Sequence, residues 1–245
     1  MKRKDTVPGL RAALFDLDGT LLDTLHDLAD AMNAALSLHG LRPVDPRTYR
    51  KLVGTGASEL SRLASCSSLE ASGVDATEAD VRSREIAPLV LQDFRDAYEA
   101  GFAHRTTPYA GIPEALATLR QEGIPIAVLS NKPDPFTKRL VAHFFPDIPF
   151  DKVCGERVSE PRKPDPAAAR EILASIGVPV SRIVYFGDSG LDMRFAKAAG
   201  FRAAGVLWGF RTRDELIEGG ADVLLDDPKE IFENVEFPHK GASTP

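Results

Sequence analysis

Apolar residues along this chain fall into two alternating patterns. Short apolar runs recur at Ala12–Leu17, Ile124–Leu129, Phe150–Cys154, Ile183–Phe186, Ala203–Leu207 and Val223–Leu225, with helical spacing between most of them. Strands that alternate with helices predict an α/β fold, a Rossmann-like parallel sheet with helices on both faces. The first interval breaks the rule. From Leu17 to Ile124 the chain is far longer than the roughly dozen residues a crossover needs, so an insertion is expected there.

The insertion reads as helical. Leu25, Leu28, Ala29, Met32 and Leu36 stand at i, i+3, i+4, i+7 and i+11, and Gly40 ends the segment. Further helices are predicted at Pro46–Val53, Ala57–Cys66 and Glu78–Ala100, the last kinked or divided at Pro88. No strand signal interrupts them. The expected organisation is therefore an α/β core at 1–22 and 108–245 with an all-helical cap at 23–107, hinged at Leu22–Thr24 and Arg105–Tyr109. The polar tail from Asn234 to Pro245 is expected to fray.

Composition narrows the classes of partner. The 245 residues carry a formal charge of −6, which argues against nucleic acid, whose binders present a basic face. The Lys2-Arg3-Lys4 cluster is too short to reverse that balance. It is followed by no apolar signal region, and no stretch approaches a membrane span, so a cytoplasmic protein with no membrane partner is expected. Cys66 and Cys154 lack metal-ligand spacing and are expected to be reduced thiols. Oligomeric state is not legible.

Candidate chemistry sits at the strand ends. In Phe15-Asp16-Leu17-Asp18-Gly19-Thr20 the two carboxylates share a strand face and emerge at the carboxyl end, where open α/β sheets bind ligands. An ordinary Asp-Gly turn accounts for the break. It does not account for two like charges that repel unless a cation or a proton separates them. The run ending at Leu129 leads into Ser130-Asn131. Alone, Ser130 is a helix cap; beside strand-end carboxylates it is a phosphate donor.

Lys163 precedes Pro164-Asp165-Pro166. Pro164 keeps it out of helical geometry, while Asp165 and Pro166 cap and open a helix over Ala167–Ile176. Lys132-Pro133-Asp134-Pro135 is a near-copy, so Lys163 is favoured for having its own loop and Lys132 is treated as auxiliary. Finally, Ile183–Phe186 runs into Gly187-Asp188-Ser189-Gly190-Leu191-Asp192, with Asp192 one turn beyond Asp188. Asp188 as an N-cap with Asp192 as a dipole partner explains a helix start but not four acidic groups at one sheet edge.

In order and context, these four segments resemble the four motifs of the haloacid dehalogenase-like hydrolase superfamily. The insertion resembles the helical cap of its phosphoglycolate phosphatase-like branch, and Val53-Gly54-Thr55-Gly56 and Gly205-Val206-Leu207-Trp208-Gly209-Phe210 are similar to that group. The chemistry read from the residues agrees. Asp16 would attack a phosphate monoester and form an aspartyl-phosphate, and Asp18 would protonate the leaving alcohol and later deprotonate water. Four carboxylates and a phosphate outweigh the single Lys163 charge, so Mg²⁺ is expected, on Asp16, Asp18 through its carbonyl, Asp188 and Asp192 directly or through water. Thr20, Ser130, Asn131 and Lys163 are expected around the phosphoryl group.

Relatives with other chemistries are set aside residue by residue. Haloacid dehalogenases lack the carboxylate at Asp18, the β-phosphoglucomutase branch has Glu-Asp where this chain has Gly187-Asp188, and phosphonatases need a cap lysine where only Lys51 is present. A closing cap selects the alcohol part of a small phosphorylated metabolite. Gly54, Thr55 and Gly56 are expected to bring amides to a substrate carboxylate, with Arg62 pairing to it. The leading substrate is 2-phosphoglycolate; a sugar phosphate, a nucleotide or pyrophosphate are alternatives. A catalytically idle binding module is the reading from a different class, and its mark would be loss of Asp16, Asp18 or Lys163, all of which are present.

Overall fold

The computed structural model describes residues 10–233. The Lys2-Arg3-Lys4 cluster and the Asn234–Pro245 tail lie outside the described residues. In chain order the elements are β1 (Ala12–Phe15), β2 (Leu22–Asp23), α1 (Leu25–Leu38), α2 (Pro46–Leu52), α3 (Ala57–Ala71), α4 (Ala76–Gly101), β3 (Thr107–Pro108), α5 (Ile112–Gln121), β4 (Ile126–Pro133) and α6 (Asp134–Phe144). They continue with β5 (Lys152–Glu156), α7 (Arg170–Ile176), β6 (Ile183–Gly187), α8 (Gly190–Ala199), β7 (Arg202–Val206), α9 (Arg213–Gly219), β8 (Val223–Leu225) and α10 (Glu230–Glu233).

All six predicted strands join one parallel sheet in the order β5-β4-β1-β6-β7-β8. Both faces are covered, which is why the strands read as unbroken apolar runs. Ala13 and Phe15 of β1 point to one core with Leu116 of α5 and Leu140 of α6. Ala12 and Leu14 point to the other, with Ile172 of α7, Phe195 of α8 and Leu216 of α9. From β1 the chain builds outward through β4 and β5, then returns to the opposite side at β6. The strand order therefore reverses between β1 and β6, the position at which such sheets open a crevice.

Differences from expectation are local. β4 continues past Leu129 through Ser130-Asn131-Lys132 to Pro133, with a register irregularity. The predicted helix at Ala167–Ile176 begins as a 3₁₀ turn over Pro166–Ala169, where Asp165 accepts the Ala167 amide as the anticipated cap. Of the two outcomes expected at Pro88, division is excluded, since α4 continues through it. Pro88 and Arg84, whose carbonyl loses its donor, are both exposed, so the fault lies on the solvent side of the helix rather than in its packing.

Helices α1–α4 pack around their own apolar cluster, which includes Met32, Leu36, Tyr49, Leu60, Val90 and Phe94. β2 and β3, which bracket them, pair antiparallel. No strand was expected there, because a two-residue ribbon leaves no periodicity to read. The junction is further stapled by the Asp27 carboxylate, which accepts the amides of Arg105 and Thr106 at 2.9 Å each and the Thr106 hydroxyl at 2.6 Å. Among the described residues no helix is long and apolar enough to cross a membrane. Cys66 and Cys154 are free thiols.

Candidate active site

Asp16 emerges at the end of β1 and Asp188 at the end of β6, on either side of the strand-order reversal. Gly19 lets the chain turn between them: its φ is +79°, and a Cβ there would lie 2.3 Å from Asp188 Oδ2. Asp16 Oδ1 accepts the Leu17 amide at 2.7 Å. Asp188 Oδ2 accepts the Phe210 amide at 2.7 Å. Ser189, not Asp188, caps α8, and Asp192 completes a capping box with it. The helix start is thus built without Asp188, whose carboxylate is left to face Asp16.

Lys163 reaches into this cluster from its loop. Its Nζ lies 3.0 Å from Asp16 Oδ2 and 2.7 Å from Asp192 Oδ1, and donates to the Tyr185 hydroxyl at 2.8 Å. Tyr185 in turn donates to the Leu129 carbonyl at 2.7 Å. The loop is held by Asn131, whose Oδ1 accepts the Lys163 amide and whose Nδ2 donates to the carbonyls of Lys163 and Gly54. Asn131 also lines the cavity above Asp16 and Asp18, but its side-chain amide is not free for the phosphate expected there. Both ends of its amide are engaged by backbone, so it braces the Lys163 loop against the helical insertion.

Charge is concentrated here. Asp16, Asp188 and Asp192, all buried, each offer an oxygen within 4.8 Å of the others. Burial above all pushes the Asp16 carboxyl up to about 7, with Lys163 pulling it down and Asp192 and Asp18 adding to the rise. Burial, then repulsion from Asp192 and Asp16, holds Asp188 well above the usual carboxylate range. Burial works against the Lys163 ammonium, yet Asp16 and Asp192 keep it above its ordinary value. A buried all-oxygen donor set with more negative charge than one lysine balances fits a hard divalent cation such as Mg²⁺. Asp16 and Asp188 are the freer donors, since Asp192 already accepts from Ser189 and Lys163.

Asp18 has a different environment. Its Oδ1 accepts the Thr24 hydroxyl at 2.7 Å, and Lys132 Nζ lies 3.2 Å and 3.3 Å from its two oxygens. The two Lys-Pro-Asp-Pro segments therefore divide the carboxylates, Lys163 taking Asp16 and Asp192 and Lys132 taking Asp18. Above them is a cavity of about 570 Å³, counting the solvent it opens to, with Asp16, Asp18, Ser130 and Lys132 on the floor and Leu28, Val53, Leu60, Phe94 and Phe136 among its walls. Core and insertion also meet directly: Arg50 donates to the Gly209 carbonyl at 2.9 Å, and Arg211 to that of Val53 at 2.8 Å.

The remaining predicted residues divide. Gly54 and Gly56 line the cavity. Thr20 is fully buried and its carbonyl accepts Trp208 Nε1 at 3.0 Å; the hydroxyls of Thr20 and Thr55 are buried without hydrogen-bond partners, and neither residue lines the cavity. Arg62 is a correction. Its guanidinium is taken by Glu59 one turn away and by Asp80 of α4 at 2.7 Å, and it does not line the cavity. Carboxylates at i−3 and on the adjacent helix reach it first. Sequence reasoning gave no role at the site to Tyr185, Thr24 or the Phe210 amide, although Phe210 stands in the Gly205–Phe210 segment and Thr24 in the expected hinge; each acts only through contacts that folding creates.

Comparison with known proteins places this geometry in a family. A family model described as haloacid dehalogenase-like hydrolase matches residues 10–200. The chain is 34% identical over 226 residues to the N-acetylmuramic acid 6-phosphate phosphatase of Pseudomonas aeruginosa, covering 91% of this chain and 94% of that protein. It is 32% identical to a phosphoglycolate phosphatase of Pseudomonas fluorescens, over 91% of this chain and 78% of the relative. Among solved structures, a candidate phosphoglycolate phosphatase from Lactobacillus delbrueckii subsp. bulgaricus superposes with a TM-score of 0.83 at 31% identity, over 92% of this chain and 98% of the other.

Proposed function

The chain belongs to the haloacid dehalogenase-like hydrolases, and from that premise we propose that it is a Mg²⁺-dependent phosphatase of a small phosphorylated metabolite, acting through an aspartyl-phosphate on Asp16. The observation that carries this reading is the pairing of Asp16 with Lys163 at 3.0 Å beside a second, separately held carboxylate, Asp18, on the floor of one cavity.

In this reading Asp16 attacks phosphorus in line, and the bond to the leaving alcohol oxygen breaks as Asp18 gives that oxygen its proton. Asp18 then takes a proton from the water that attacks the aspartyl-phosphate, which releases phosphate and restores Asp16. Ser130 and Lys163 hold the phosphoryl oxygens, whose charge must be met for two anions to approach. Lys132 holds Asp18 in place. Asp16 and Asp188, with Asp192 and the carbonyl of Asp18, would hold the Mg²⁺, which when bound neutralises phosphoryl charge. The helical segment 23–107 acts as a cap that excludes water and selects the alcohol.

2-Phosphoglycolate is the first substrate to test, on the strength of the phosphoglycolate phosphatases among the relatives. N-acetylmuramic acid 6-phosphate is the second reading, favoured by the near end-to-end match to a phosphatase of that name and by the apolar cavity walls. The test is phosphate release by the purified protein from a panel containing both esters, a sugar phosphate, a nucleotide and pyrophosphate, with Mg²⁺ and with chelator. Release that requires Mg²⁺ and favours one of the two carboxylate-bearing esters is expected. No release from any ester supports the idle-module reading instead.

A further inference from the structure

One cation in the cavity has no part in the chemistry above. Arg95 of α4 lines the cavity that opens over Asp16 and Asp18, and makes no hydrogen bond or ion pair among the described residues. That is unusual for its surroundings. On the same helices Arg62 is held by Glu59 and Asp80, and Arg84 by Asp80, and across the junction Arg139 is held by Glu99. In a chain with 36 acidic and 30 basic residues, an exposed arginine that lines an active-site cavity and is paired to no acid is available for a ligand.

A second observation points the same way. Tyr98 lies three residues on, on the same face of α4, and lines the same cavity. It is 1% exposed, its ring lies beneath the Lys132 ammonium at 4.6 Å, and its hydroxyl makes no well-formed hydrogen bond. A buried hydroxyl left unpaired is costly, and an acceptor arriving in the cavity removes that cost. Around the pair the walls are apolar, with Leu28, Phe94 and Phe136 among them.

The phosphoryl end of a substrate is served by Lys163 and Ser130, and Lys132 is committed to Asp18. Arg95, and Tyr98 beside Lys132, are left for the alcohol part. One guanidinium and one hydroxyl on an apolar wall match a singly charged, planar carboxylate, which accepts the guanidinium fork in parallel; a second phosphate would bring more charge than one arginine balances.

We propose that Arg95 and Tyr98 form the receptor for a carboxylate on the alcohol part of the ester, so that the enzyme selects phosphates of hydroxy acids over those of neutral alcohols. This rests on the phosphatase reading above, and it moves the carboxylate partner from Arg62 on α3 to Arg95 on α4. A small hydroxy acid and a larger carboxylate-bearing amino sugar present the same group, and the two arms of the experiment tell them apart.

The experiment measures kcat/KM with Mg²⁺ on two matched pairs. One is 2-phosphoglycolate against 2-hydroxyethyl phosphate; the other is N-acetylmuramic acid 6-phosphate against N-acetylglucosamine 6-phosphate. An aryl phosphate serves as a general phosphatase substrate. Wild type is expected to prefer the carboxylate member of at least one pair, and that pair identifies the size of the alcohol. Arg95→Gln is expected to reduce that preference about tenfold, mainly through KM, as loss of one charge-assisted contact near solvent would. Arg95→Lys should recover part of it, and Tyr98→Phe should reduce it by a smaller factor.

An unchanged ratio in Arg95→Gln, or no wild-type preference in either pair while phosphate is released, overturns the receptor and leaves the phosphatase reading standing. Release from none of the esters, the aryl phosphate included, overturns both.

Discussion

At the scale of single residues, the site is a problem in charge. Asp16 is buried, its carboxyl is pushed up to about 7, and its compensating cation is Lys163. A neutral side chain of the same shape is thus at little disadvantage in the folded protein, while a nucleophile is indispensable to the proposed chemistry. Asp16→Asn is expected to lower phosphate release by about a thousandfold or more while its thermal unfolding midpoint stays level or rises. Near-normal turnover by the pure variant would remove Asp16 as the nucleophile. Spacing brought Asp16, Asp18, Asp188 and Lys163 to attention and ranked Lys163 above Lys132; it had no means of ranking the arginines of the insertion. Arg62 and Arg95 are both arginines on amphipathic helices, and only the folded structure shows that Glu59 and Asp80 occupy the first while no acid pairs with the second.

At the scale of elements, the inner strands were legible because each is buried on both faces, the edge strands because their apolar runs are short and bounded, and their helical connections because each buries one face. What escaped was short or irregular: the β2–β3 ribbon and the extension of β4 through Ser130-Asn131-Lys132. The junction depends on Asp27, whose carboxylate accepts three donors from Arg105 and Thr106. Asp27→Ala leaves those donors without an acceptor at a buried site, at an expected cost of about 2–3 kcal/mol in denaturant unfolding. A loss near zero would mean that the ribbon alone carries the junction.

At the scale of the whole molecule, the reversal of strand order between β1 and β6 brings Asp16 and Asp188 together, and the insertion closes the space above them. Acidic side chains so gathered are a standing cost that a divalent cation relieves, and a ligand bound only by the folded state stabilises it. Free Mg²⁺ at one hundred times its Kd is expected to add about 2.7 kcal/mol, read as a rise of several degrees in the unfolding midpoint. Chelator and Asp188→Asn should each abolish the rise. If the midpoint ignores Mg²⁺, the cluster is not a metal site.

The sequence by itself determined the class of fold, the helical nature of the insertion and the motif residues that meet at the sheet edge, because hydrophobic period and strand-end spacing are local properties that short segments carry intact. Tertiary structure alone decided which lysine serves which carboxylate, that Asn131 braces a loop, and that Arg95 rather than Arg62 faces the cavity. Those outcomes depend on ångström-scale competition between groups far apart in the chain, Asp18 with Lys132 and Asp16 with Lys163 among them, and no one-dimensional pattern encodes which partner arrives first.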